Sequence, residues 1–249
     1  MGYSVEVSRG IAVMAKGRPR ARRGIGKSEI LEAASQLYAE GGDDTFSVRK
    51  VGQTLGVDPM TVLHHFQSKS ELLRQIGDRA LSTVKLPKPS GCWRLDLKNI
   101  AYAYRDLAHR HPRAFQLHFR FHATGPADHM SSEIAYKAMR DAGLPDPVAA
   151  GLGLSFYAFV MGFGLAEIDG LLRPIGEDDE AELMALDPDL CPATRALVPS
   201  FKNLNPDEAF ETALTAFIEG VAVAGRVAEP SGGQHKIVPE LNTISAVRR

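Results

Sequence analysis

The chain has 249 residues, 44% hydrophobic and 24% charged, which suits one large or two modest soluble domains and excludes a chain dominated by disorder. Its two cysteines, Cys92 and Cys191, lie about a hundred residues apart without a C-x-x-C, which argues against a disulfide framework or a thiolate zinc site. The formal net charge of −1 hides a split: residues 1–80 hold 12 basic and 9 acidic side chains, and residues 81–249 hold 17 and 21.

The basic end comes first. Residues 1–13 are expected to be unstructured, with Met14 as an alternative start. No secretory signal is read, because no cationic segment leads into an apolar core and a small-residue cleavage site; a cytoplasmic location is expected. Residues 16–27, KGRPRARRGIGK, carry six cationic side chains and no acidic one, with glycine and proline opposing a helix. Residues 1–26 are therefore read as a basic flexible arm. Arg18-Pro19-Arg20 after a glycine resembles the core of AT-hook minor-groove binders, making Arg18 and Arg20 candidates for groove contact. A solvated tail supplying only nonspecific phosphate attraction fits the same residues.

From Ile30 the apolar residues Ile30, Ala33, Ala34, Leu37 and Tyr38 recur at helical spacing and predict a helix ending at Gly41-Gly42. Ser47 as N-cap, then Val48, Val51 and Leu55, predict a short helix stopped at Gly56, where a turn can take positive φ. Asp58 as N-cap with Pro59 at the first helical position opens a second short helix to Phe66, and Ser68 with Glu71 forms an S-x-x-E capping box for a third. Two short helices around a glycine corner followed by a capped helix predict a helix-turn-helix DNA-binding domain over residues 27–73.

Beyond it, LPKPSG at 86–91 breaks the pattern. Helices are predicted at about 93–110, 112–123, 127–142, 147–173 and 206–228, with no convincing strand, so the fold class is all-α with a C-terminal helical domain over 74–228 and a tail over 229–249. Asp146-Pro147 and Asn205-Pro206 repeat the cap-then-proline start, and Asn205 with Glu208 predicts another capping box. Val148–Ala166 is an uncharged run long enough to span a bilayer, but four glycines, a serine, a tyrosine and the following Glu167 and Asp169 argue against that reading. Its small residues Gly151, Ser155, Ala158, Gly162 and Ala166 fall on one helix face, and Ala209, Ala213, Ala216, Gly220 and Ala224 form a matching stripe in the last helix. Two such stripes predict a twofold four-helix dimer interface, with internal core packing as the alternative.

At this point the residues resemble the TetR family of bacterial transcriptional regulators. The run SVRKVGQTLGVDPMTVLHHFQSK is similar to the family's DNA-binding domain. The stretch from Trp93 through His111-Pro112, Ala142–Leu144 and GFGLAE at 162–167, with Ala209–Leu214, resembles the tetracycline-repressor-type C-terminal domain. The resemblance implies an all-α homodimer on a near-palindromic double-stranded operator, released when a small molecule binds the C-terminal domain. Two positions depart from the pattern: Leu63 stands where a phosphate-holding tyrosine is usual, and Gly52 replaces an alanine.

The expected DNA-binding residues are Ser47, Arg49, Pro59, Met60, Thr61, Leu63, His64 and Lys69, with Arg18 and Arg20 from the arm. Arg49 matches a base-reading arginine in the resemblance, and its planar fork suits guanine O6 and N7. Thr61 and His64 offer hydroxyl or ring contacts, Val62 should face inward, and Ser47 and Lys69 at helix N-termini suit phosphate. For the effector, Tyr104, Arg105, Leu117, His118, Phe121, His122, Phe159 and Phe163 are expected to line a pocket for a flat or greasy molecule. His118-x3-His122 can pair on a metal, but hydrogen-bonded pocket histidines are the preferred reading. The resemblance places His118 where tetracycline-binding members hold a magnesium-coordinating histidine, with its acidic partner in the 162–167 region, where Ala166 or Glu167 aligns. No resident cofactor or metal is expected, magnesium accompanying a ligand at His118 being the alternative. With no H-E-x-x-H and no G-x-S-x-G, no enzyme is expected. The leading function is a repressor relieved by an effector; an architectural DNA binder without effector control is the alternative.

Overall fold

A computed structural model describes residues 24–228 apart from His122. Among the described residues it contains eleven α-helices, one 3-10 turn and no strand. The arm with Arg18 and Arg20, the tail from residue 229 and His122 lie outside the described residues.

The first four helices are α1 (Lys27–Thr45), α2 (Val48–Leu55), α3 (Pro59–Phe66) and α4 (Lys69–Ser82). Helix α1 breaks at Gly42 (φ 57°, ψ −153°) where a stop was predicted, but regains helical form to Thr45. Each later boundary has its own chemistry. Ser47 Oγ accepts from the Lys50 amide at 3.1 Å, Gly56 takes the left-handed conformation (φ 65°), and Asp58 Oδ1 accepts from the Met60 amide at 2.7 Å. Ser68 Oγ accepts from the Glu71 amide at 3.0 Å, but the predicted capping box is only half made, because Glu71 turns its carboxylate to Arg74 and Gln75. Ile30, Tyr38, Phe46, Val51, Val62, Phe66, Leu72 and Ile76 bury the facing stripes of these helices in one core. Helix α4 runs unbroken across the expected boundary at residues 73 and 74 and belongs to both halves of the chain.

The second half contains α5 (Trp93–Arg110), α6 (Pro112–Gln116), α7 (Pro126–Asp141), α8 (Asp146–Ile168), α9 (Glu177–Ala185), α10 (Pro192–Lys202) and α11 (Pro206–Ala228). Helix α6 is shorter than predicted and passes into the 3-10 turn Leu117–Phe119. Helices α9 and α10 were not predicted. They pack on one another: α9 buries no residue and has no apolar stripe for periodicity to detect, while α10 buries only Val198 and its 11 residues are interrupted by Pro199, which reads as a helix breaker. Asp146 is not an N-cap as expected: it lies inside the helix, pairs with Arg140 at 3.1 Å, and leaves the cap position to Pro145. The Asn205 box also differs, with Asn205 Oδ1 accepting from the Asp207 amide and its Nδ2 donating to Glu208.

Helix α8 is long and apolar enough to cross a membrane by length and composition. Its packing explains that composition in another way: Ala149, Gly153, Phe156, Val160, Met161 and Gly164 are buried against the surrounding α5, α7 and α11. At its end, Glu167 (4% side-chain exposure) receives Arg105 through Nε at 2.9 Å and Nη2 at 2.5 Å, while His109 Nε2 lies 3.1 Å away. Arg105 also donates to Asp207 at 2.6 Å and lies 4.8 Å over the Phe210 ring, so one guanidinium ties α5 to both α8 and α11.

Candidate nucleic-acid interface and effector cavity

The α2–α3 corner depends on the absence of two side chains. At Gly56 a positive φ closes the turn. At Gly52, an added Cβ would stand 2.8 Å from the Val57 carbonyl oxygen and 3.3 Å from the Pro59 nitrogen, so the departure from alanine is what lets α3 cross this close. Val62 and Phe66 then sit fully buried, fixing the roll of α3. That roll leaves Met60 67% exposed and His64 exposed, with Pro59, Thr61 and Leu63 half-buried along the flanks. His65 is half-buried, its ring edge-on to His64 at 5.6 Å. Ser47, Arg49 and Lys50 are exposed in the first turn of α2. Lys69 is engaged rather than loose: its Nζ donates to the Phe46 carbonyl at 3.0 Å and lies 5.7 Å from the Phe46 ring centroid, closing the α1–α2 corner.

The C-terminal half holds a partly open cavity of about 160 Å³ between α5, α7 and α8. Tyr104, Tyr136, Phe156 and Tyr157 supply its rings, and Asp128, His129, Ser131 and Ser132 its polar wall. Beneath the wall lies a buried network. Asp128 accepts from the Tyr104 hydroxyl at 3.0 Å and from the Thr124 amide at 2.9 Å, Ser131 Oγ donates to the Asp128 carbonyl at 2.8 Å, and His118 Nδ1 stands 3.8 Å from Asp128 Oδ2. Burial by itself would raise the Asp128 carboxyl, but His118, the Thr124 amide and Tyr104 outweigh it and hold the group below its ordinary value. Burial pushes the Tyr104 phenol well up, aided by Tyr157 and Asp128, and burial with Asp128 does the same to Tyr157, so both stay protonated donors.

Of the residues expected at the effector site, Tyr104 lines this cavity and His118 lies behind it, 6.3 Å from the Tyr104 ring centroid. The others go elsewhere. Arg105 is committed to Glu167 and Asp207; Leu117 is buried where α6 runs into the 3-10 turn; Phe121 is half-buried on the core. Phe159 stacks on Phe217 at 5.7 Å and Phe163 meets Phe210 edge to face at 5.0 Å, joining α8 to α11 within one chain. Sequence reasoning missed Asp128, Ser131, Ser132, Tyr136 and Tyr157. A signal existed for two of them: Asp128 and Ser131 share the helical stripe of Ala135, Ala138 and Met139, polar residues on an otherwise apolar buried face.

The donor set for magnesium at His118 is not assembled. The carboxylate of Glu167 is held by Arg105 and His109, and His118 Nε2 is buried with no hydrogen-bond partner among the described residues. Among those residues no group of three His, Cys, Asp or Glu side chains converges as a metal site.

The small-residue stripes face outward. Gly151, Ser155, Ala158 and Gly162 are exposed on α8, as are Ala216 and Gly220 on α11, while Ala209 and Ala213 are half-buried. Among the described residues, nothing beyond the helix's own neighbouring backbone lies within 4 Å of a Cβ added at Gly151, Gly162 or Gly220.

A helix-turn-helix with an outward-facing second helix, joined through a continuous α4 to a helical domain with its own cavity, defines a DNA-binding transcriptional regulator. Residues 30–76 match the tetR family of bacterial regulatory proteins, and residues 86–224 match the tetracycline repressor-like C-terminal domain. The chain belongs to the TetR family. It is 26% identical over 201 residues to the class A tetracycline repressor protein from transposon 1721 of Escherichia coli, covering 78% of this chain and 88% of that protein. Apo ActR from Streptomyces coelicolor superposes with a TM-score of 0.74 at 24% identity, covering 84% of this chain and all of the other. BioQ of Mycobacterium smegmatis gives 0.61 at 21% identity over 81% and 99%, and BioQ bound to its natural double-stranded DNA operator gives 0.59 at 20% over 80% and 99%.

Proposed function

We propose that the protein is a homodimeric repressor that reads a near-palindromic operator through α2 and α3 and releases it when a small aromatic effector occupies the α5–α7–α8 cavity. The observation that carries this reading is the exposed face of α3, with Met60 and His64 outward over buried Val62 and Phe66, on the same chain as a ring-lined cavity that opens to solvent beside His129 and Leu154. Arg49 is the base-reading candidate. Pro59, Met60, Thr61, Leu63 and His64 face the groove, and Ser47 and Lys69 flank it for phosphate. Leu63 supports groove contact without the usual tyrosine hydroxyl.

Four groups are assigned to the effector: the hydroxyls of Tyr136, Tyr157 and Ser132, and the ring of His129. They suit a flat ring system bearing hydroxyl or carbonyl oxygens. ActR has been crystallised with actinorhodin and with (S)-DNPA, which supports an organic effector in this fold. A physical route to the reading head exists: Asp128 holds the Thr124 amide, the Thr124 carbonyl accepts from Arg74 Nη1 of α4 at 2.7 Å, and Asp78 of α4 accepts from the Ala127 amide at 2.9 Å. An effector that displaces the Asp128 segment shifts α4 and changes the spacing of two reading heads, provided it binds that arrangement more tightly. The outward stripes of α8 and α11 pair with their copies to form the dimer. No metal is assigned to the effector. Footprinting on the DNA flanking its own gene tests the reading: a discrete protected site with two half-sites, lost on effector addition, is expected, and laddered salt-sensitive coating would refute it.

A further inference from the structure

A second cavity, of about 190 Å³, lies in the seam where α1 and α4 meet the α5–α6 turn. Its charge is one-sided. Arg79, Arg110 and Arg113 line it together with His111, and no carboxylate does. Arg79 spends one nitrogen on Glu32 and Arg110 one on Asp106, neither of which lines the cavity, and Arg113 spends one on the neutral carbonyl of Ala39, which does. A guanidinium has five N–H donors, so all three retain donors for an occupant. The floor beneath them is apolar, formed by Ile76, Ala80 and Ala114.

We propose that this seam cavity binds a small organic carboxylate, its anionic end forked by Arg110 and Arg113 and its apolar body resting on Ile76, Ala80 and Ala114. Planar carboxylate matches the guanidinium fork with two parallel hydrogen bonds. An inorganic anion would satisfy the arginines and leave the floor wet, whereas a neutral ring would cover the floor and leave Arg113, the one guanidinium of the three bonded to a neutral carbonyl and not to a carboxylate, without a counter-charge. The site is distinct from the α5–α7–α8 cavity, with which it shares no lining residue. It also stands independently of operator reading, since its occupant touches none of the residues assigned to DNA.

Calorimetric titration of the full chain with benzoate, with benzamide as neutral isostere and with sulfate as a ring-free anion, tests the proposal. Saturable benzoate binding is expected, with benzamide and sulfate each at least about tenfold weaker, the size of one lost charge-assisted hydrogen bond. Arg113→Gln and Arg110→Gln should each weaken benzoate by a similar factor while leaving the far-ultraviolet spectrum unchanged. If Arg113→Gln does not fold, Arg110→Gln, whose side chain is half exposed, decides. No benzoate binding, equal binding of benzamide or sulfate, or undiminished binding to the folded variants overturns the assignment.

Discussion

Single residues set the limits of the reading head. Arg49 is exposed at the start of α2, and among the described residues its fork makes no hydrogen bond or ion pair. Arg49→Ala should weaken operator binding by about 1–3 kcal/mol and scrambled DNA much less, as read in parallel titrations at one salt concentration; equal loss on both would mean that Arg49 contacts only phosphate. Gly52→Ala places a Cβ against the Val57 carbonyl, which is backbone and cannot rotate away. The expected result is a lower thermal midpoint and weaker operator binding despite alanine's better helix propensity of about 1 kcal/mol. In the cavity wall, the depressed folded-state value of Asp128 gives the sign of a pH effect. Its stabilising contribution is fully present above the unfolded value of about 3.9 and is lost as pH falls through the lower folded value. Asp128→Asn should therefore destabilise the protein near neutrality by about 1–3 kcal/mol and flatten the acid limb of urea midpoint against pH. A variant with the same acid limb as the parent would remove Asp128 from that account.

At the scale of elements, legibility followed how much apolar surface each helix turns to the core. Helices α1 to α5, α7, α8 and α11 each turn buried apolar residues to a core, and their existence could be read directly, as could the N-caps of α2, α3 and α4; the caps of α1, α5, α7 and α8 could not. Helices α9 and α10 could not, because they meet mainly each other and expose Met184 and Leu197, with Leu190 exposed in the turn between them. Side-chain commitments also escaped the sequence. Arg105 has a sequence position that suits an effector contact, but bonds to Glu167 are what tie it to α8. Glu167→Gln would leave that guanidinium, with 11% side-chain exposure, facing a neutral amide, partly compensated by the exposed Asp207. A loss of about 2–4 kcal/mol in urea unfolding is expected, with the α2–α3 surface unchanged.

At the scale of the whole molecule, the proposed dimer accounts for a feature that one chain leaves unexplained, two small-residue stripes turned outward on neighbouring long helices. Ala216→Arg places a long charged side chain on that exposed stripe without disturbing the core. Sedimentation at micromolar concentration should show monomers, with operator affinity falling by about tenfold or more as avidity is lost. An undissociated variant would move the interface away from α11.

The sequence by itself determined the all-α class, the capped helices of the reading head, the Gly56 corner, the inward Val62 and the two stripes, because these depend on spacing and local backbone chemistry within a few residues. Only the tertiary structure decided which polar groups share a cavity, why Gly52 is glycine, and which partners Arg105, Glu167 and Lys69 take. Those outcomes are set by contacts between residues tens of positions apart, where a side chain's neighbour depends on how whole helices cross and no local pattern records it.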